Sequence, residues 1–180
     1  MTARPLQRFP DLTILTSASR PTLRFLFSHP AHFFALGLGS GLAPVAPGTF
    51  GTLAGWILFY PMSRVLSPVG WAIFLPIGFL IGIWACGKTG RDLGVPDHGA
   101  MVLDEMIAIW VVLVVTPNDW RWQAAAVVLF RFFDIVKPSP IRYFDRRYKG
   151  GFGVMWDDLF AAFYTLLLMA VVVRLGIAHA

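Results

Sequence analysis

Val69-Gly-Trp-Ala-Ile-Phe-Leu-Pro-Ile-Gly-Phe-Leu-Ile-Gly-Ile-Trp-Ala-Cys86 contains no charged residue. At about 1.5 Å of rise per residue, a helix of this length spans about 27 Å of hydrocarbon, so the stretch reads as a transmembrane helix. Outward from it lie further apolar runs. Leu53 to about Leu66 reads as a span kinked at Pro61. Met101 to Thr116 carries Asp104-Glu105 near its start, Trp120 to Phe133 is bounded by Arg121 and Arg131, and Leu159 to Val173 closes before Arg174. Each is short for a full crossing, as fits charged residues at the membrane faces, although a buried helix of a soluble protein would be equally short. The expected fold class is all-α: a polytopic integral membrane protein of about five short transmembrane helices.

Composition points the same way. Of the 180 residues, 57% are hydrophobic and 14% charged, and the mean hydropathy is +0.66. An average soluble chain is roughly 25% charged. Disorder, a disulfide scaffold and a coiled coil are excluded, since apolar content is high, Cys86 is the single cysteine, and seven Trp and sixteen Phe suit no charged heptad array. Fifteen Lys and Arg against ten acids give a pI near 9.9. In so apolar a chain, basic residues set membrane orientation and attract anionic headgroups rather than nucleic acid.

The expected organisation is a basic leader over residues 1–32, one membrane-embedded domain over 33–176 and a short tail over 177–180. An up-and-down path of five spans puts the leader, the Gly87 to Gly99 loop and the Asp134 to Asp158 loop on one face. Twelve of the fifteen basic residues then share that face, among them Arg142, Arg146, Arg147 and Lys149, so it is expected to be cytoplasmic and the carboxyl terminus periplasmic.

Gly37-Leu-Gly-Ser-Gly-Leu-Ala-Pro-Val-Ala-Pro-Gly-Thr-Phe-Gly51 has too much glycine and proline for an ordinary helix. Two readings stand side by side. Gly39, Ser40, Gly41, Gly48, Thr49 and Gly51 form a phosphate seat of free amides and hydroxyls before a helix start, or the segment is a re-entrant or interfacial turn. Gly82-Ile-Trp-Ala-Cys-Gly-Lys-Thr89 spells a phosphate loop, but it ends an apolar span instead of leaving a strand, and Gly90 to Pro96 is expected not to be helical. Cys86 is expected to be a small buried residue.

Asp104-Glu105 and Asp157-Asp158 both stand where a polar loop enters an apolar run, a costly place for an ionised carboxylate. Adjacent residues on a helix diverge by about 100°, so one of each pair can face a site while its neighbour bonds elsewhere. Arg131, Asp134 and Lys137 follow at spacings of three, on one helical face before Pro138. Helix capping and surface pairing explain any one of these residues; their convergence on one face favours function. Carboxylates without a His and Cys cluster suit Mg²⁺, and Mg²⁺ beside Arg and Lys reads as phosphoryl transfer. Asp104, Glu105, Asp157 and Asp158 are therefore the candidate metal ligands. His98, Arg131, Asp134 and Lys137 are the candidate catalytic residues, with His98 either a proton shuttle or an ordinary loop histidine. An ion- or proton-coupled transporter is the alternative, since intramembrane acids are normal there too.

Gly39 to Gly51, Asp97 to Glu105, Phe130-Arg-Phe-Phe-Asp-Ile-Val-Lys-Pro138 and Gly150-Gly-Phe-Gly-Val-Met-Trp-Asp-Asp158 resemble, in order and spacing, the motifs of the bacterial phosphatidylglycerophosphatase A family. The resemblance runs from about Phe33 to Phe163. It implies a Mg²⁺-dependent inner-membrane enzyme and adds Asp97 to the candidate catalytic residues, while the charge count puts the site on the cytoplasmic face. The implied substrate is an anionic phospholipid, phosphatidylglycerophosphate, whose terminal phosphate is hydrolysed to leave phosphatidylglycerol.

Overall fold

The structure is a computed structural model and describes residues 20–139, 142–143 and 148–174. Most of the basic leader, with Arg4 and Arg8, lies outside the described residues, as do Arg146, Arg147 and the tail over 177–180. Among the described residues the chain is entirely helical. Two short helices, α1 (Leu23–Leu26) and α2 (Pro30–Ala35), lead through a 3-10 turn (Gly37–Leu42) into α3 (Pro47–Val65). The chain continues through α4 (Pro68–Leu93), α5 (Leu103–Val115), α6 (Trp120–Val136) and α7 (Gly151–Arg174).

Helix α5 is the axis around which the others stand. It packs on α3, α4, α6 and α7, and its residues from Leu103 to Trp110 are all buried, Asp104 and Glu105 included. A helix apolar on all sides belongs in the middle of a bundle, which explains why this run is too short to cross a bilayer unaided. Among the described residues, two helices are long and apolar enough to cross a membrane, α4 and α7, fewer than the five short spans expected. On the outside, Ile57 on α3, Val69, Ile73 and Leu80 on α4, Val128 and Ile135 on α6, and Phe163 and Leu167 on α7 are all exposed.

Close helix approach is built from small residues. Gly48, Gly51, Thr52 and Gly55 form the buried stripe of α3 against α5, and the Trp110 indole N–H donates to the Gly55 carbonyl at 2.7 Å. A Cβ at Gly55 would stand 2.9 Å from Ile109 Cγ2. This is the small-residue packing of membrane helices, where contact rather than burial from water holds neighbours together.

Three boundaries differ from the sequence expectation. Helix α4 runs on through Gly87-Lys-Thr-Gly-Arg-Asp-Leu93, so the stretch from Gly90 is helical until Gly94 ends it in a left-handed conformation at φ 70°. The phosphate-loop spelling thus lies wholly inside one helix. Helix α3 begins at Pro47 rather than near Leu53, because proline at the first helical position loses no bond. Within the glycine-rich segment, Gly37 to Gly39 and then Ala46 turn through positive φ, Leu38 at 58° and Ala46, just before α3, at 47°.

Candidate active site

The first turn of α5 carries Asp104 and Glu105, where carboxylates oppose the positive end of the helix dipole. The second turn of α7 brings Asp158 against them. One carboxylate oxygen from each of Asp104, Glu105 and Asp158 lies within 4.8 Å of the others. All three residues are buried, and Asp104 Oδ1, Glu105 Oε2 and Asp158 Oδ2 have no hydrogen-bond partner. Asp134, from the last turn of α6, is an electrostatic neighbour of both Glu105 and Asp158.

One guanidinium faces these four carboxylates. Arg131 Nη1 lies 2.7 Å from Asp134 Oδ2 and 3.7 Å from Glu105 Oε1, and it donates to Thr52 Oγ1 at 3.4 Å. The Thr52 hydroxyl donates in turn to the Gly48 carbonyl at 2.9 Å. So many like charges in a poorly solvated place repel strongly, and one arginine does not balance them. The arrangement can hold a divalent cation.

Glycine lets the amino end of α3 reach this cluster. A Cβ at Gly48 would collide with Glu105 Oε1 and crowd both terminal nitrogens of Arg131. Gly48 therefore stands at the carboxylates, with Thr49 next to it in the chain. The Thr49 and Phe50 amides close onto the Ala46 carbonyl at 2.9 and 3.3 Å, so fewer amides are free than the sequence suggests. Gly51 presses on Val102, and Gly41 on the Ala100 carbonyl. Ser40 gives its hydroxyl to Gly37 at 2.8 Å, and Gly39 turns the chain at φ 106°. These four shape the turn that holds the segment before α5.

The remaining candidates divide. Lys137, in left-handed conformation at the end of α6, pairs with Asp157 on α7. Asp157 and Asp158 thus point to different partners. His98 Nδ1 accepts the Ala100 amide at 3.1 Å, leaving Nε2 for other contacts, and the residue lines a cavity of about 280 Å³ with Arg20, Gly41 and Pro47. Asp97 is exposed and is an electrostatic neighbour of Cys86, which is itself fully buried and close to Glu105 and Asp158. One polar cluster had no signal in the sequence. Buried His32 bonds Asp92 at 2.7 Å through Nε2 and meets Ser28 Oγ at 2.9 Å through Nδ1, while Lys88 pairs with the same Asp92. Sixty residues separate His32 from Asp92, so no local spacing could reveal this tie of α2 to α4.

Comparison with known proteins agrees with the motifs. The family described as Phosphatidylglycerophosphatase A matches residues 33–173. A Haemophilus influenzae protein named phosphatidylglycerophosphatase A is 45% identical over 152 residues, covering 84% of this chain and 93% of its own. The Escherichia coli protein of the same name is 45% identical over 139 residues, with 77% and 80% covered. No solved structure matches the chain.

Proposed function

The chain belongs to the phosphatidylglycerophosphatase A family, and on that premise we propose that it hydrolyses the terminal phosphate monoester of phosphatidylglycerophosphate, yielding phosphatidylglycerol and inorganic phosphate. The observation that carries the chemistry is the convergence of Asp104, Glu105 and Asp158 within 4.8 Å beside Arg131. Three hard oxygen donors with unpartnered buried neighbours fit Mg²⁺ better than a softer metal. Held there, Mg²⁺ would neutralise phosphate oxygens and make a water more acidic.

The protein's own groups do the rest. Arg131, fixed between Asp134 and Glu105, offers its guanidinium to the equatorial phosphate oxygens, where charge grows in the transition state. In this reading Asp134 takes a proton from the attacking water, and His98 gives one to the leaving glycerol oxygen. The amino end of α3 at Gly48 adds a positive dipole end to the phosphate seat. Lys137, through Asp157, ties the end of α6 to α7 and so holds Asp134 and Asp158 in register.

In the membrane, α3, α4, α6 and α7 present apolar outer faces to lipid around buried α5, and the five helices form one domain over 33–176 with the basic leader before it. These faces support a multi-pass membrane protein, and the basic residues gathered at the carboxylate end support the reading that it sits in the inner membrane with its site toward the cytoplasm. A transporter would need acids along a mid-span path, whereas these gather at helix ends.

The test is purified protein in detergent, offered phosphatidylglycerophosphate and phosphatidic acid with Mg²⁺ or with chelator. Phosphate and phosphatidylglycerol are expected from phosphatidylglycerophosphate with Mg²⁺ only, and diacylglycerol as the first lipid product from that substrate would refute the reading. Mg²⁺ should also raise the Tm, by about 2.7 kcal/mol of added stability at a hundredfold excess over Kd. No thermal response to Mg²⁺ would remove the metal from this cluster.

A further inference from the structure

Beside the carboxylates, α3, α4 and α5 enclose a groove of about 300 Å³ that no polar atom faces. Leu58 and Met62 form one wall, Ile77 and Gly78 a second, and Met106 and Ile107 the floor. Phe34 and Leu38, from the segment before α3, stand at its end nearest the acids. We propose that this groove seats one acyl chain of the lipid substrate, an inference that rests on reading the protein as a lipid phosphatase.

Helix α5 links the two chemistries. Leu103, Ile107 and Trp110 line the groove at helical spacing, while Asp104 and Glu105 in the same first turn belong to the phosphate site. The apolar channel thus opens on α5 at Leu103, the residue before Asp104 in the chain, on a face turned about 100° from that carboxylate. From Leu103 to Trp110 the channel runs about 10 Å along the helix. At about 1.2 Å per bond for an extended chain, it takes roughly eight methylenes. Its volume suits one chain and not two.

Two residues keep the groove open and aimed. A Cβ at Gly78 would stand 3.4 Å from Ile107 Cδ1, an ordinary contact, so a larger side chain at that position fills the channel without disturbing the backbone. Leu38 adopts φ 58°, a costly conformation for a leucine, and this turn sets its exposed side chain at the groove's mouth. Lipid tails are as apolar as the groove itself, so moving a chain from bilayer to groove gains little affinity. What it gains is orientation, because the chain and the phosphate leave the glycerol backbone in fixed directions.

The experiment compares Gly78→Leu with the wild type on dioleoyl and dibutyryl phosphatidylglycerophosphate in the same micelles with Mg²⁺. Filling the groove should lower kcat/KM for the dioleoyl lipid at least about tenfold relative to the dibutyryl one, the scale of a displaced methylene or two in an apolar pocket. Equal loss on both substrates, or no loss, overturns the proposal. A second readout needs no turnover: a dioleoyl lipid with a diazirine in one chain, photolysed with wild-type protein, should label Ile77, Met106 and Ile107. Labelling spread evenly over Val128 and Leu167 would mean bulk lipid only and would also overturn it. Failure of the phosphatase reading looks different, since the wild type would then release phosphate from neither substrate while the labelling pattern still reports on the groove.

Discussion

Asp157 and Asp158 are neighbours in the chain and part company in the fold. Asp158 joins Asp104 and Glu105, whereas Asp157 pairs with Lys137. Asp158→Asn, Asp104→Asn and Glu105→Gln should each fold and insert normally but lose at least about 10²-fold in turnover, as expected when developing charge loses a stabiliser. Asp157→Asn should act through the ion pair instead. A double-mutant cycle with Lys137→Met, read by thermal stability, should give a coupling of about 0.5–3 kcal/mol. Zero coupling in stability together with a full loss of turnover would return Asp157 to the metal site. The sequence offered both carboxylates as ligands and left room for one of the two to bond elsewhere. Only the pitch and position of α7 decide which, and these depend on helices distant in the chain.

At the scale of elements, glycine positions separate site effects from packing effects. Gly151 lies where a Cβ would collide with the Ile83 carbonyl of α4, so Gly151→Ala should cost about 1–3 kcal/mol of stability through overpacking. Gly48→Ala meets the Glu105 carboxylate and Arg131, and should instead show as lost phosphate release with a smaller change in Tm. Gly99→Ala has no atom within 4 Å and should stay within about 0.5 kcal/mol of wild type. Equal thermal losses at all three would show that the tight α3 and α7 approaches are not what stabilises the bundle. The apolar runs around Val69 and Leu159 were legible because composition alone marks them. The central role of α5 was not, since a short apolar run reads alike as a weak span and as a core helix. The extension of α4 to Leu93 was missed because Gly87 and Gly90 read as loop residues, yet Gly90 is packed against the Val95 and Pro96 carbonyls and so belongs inside the bundle.

At the scale of the whole molecule, orientation decides whether the site meets its substrate. The carboxylates sit at the α5 start, the α6 end and the first turns of α7, and these ends share one face with Arg20, Arg24, Lys88, Arg91 and Lys149. Arg64, Arg121 and Arg174 lie at the opposite ends of α3, α6 and α7. In the proposed orientation the charge bias of loops puts the crowded face on the cytoplasmic side. Cys86 is the single cysteine and is fully buried, so cysteines introduced one at a time report accessibility with little background. Lys149→Cys and Arg20→Cys should resist a membrane-impermeant maleimide in intact spheroplasts and react after lysis, whereas Asn118→Cys, between α5 and α6, should react in both. Labelling of Lys149→Cys from outside would turn the molecule over and refute a cytoplasmic site. Reaction of Asn118→Cys only after lysis, with Lys149→Cys behaving the same way, would mean that α6 does not cross. The bundle would then have to lie partly in the interface, with α4 and α7 as its membrane-spanning helices.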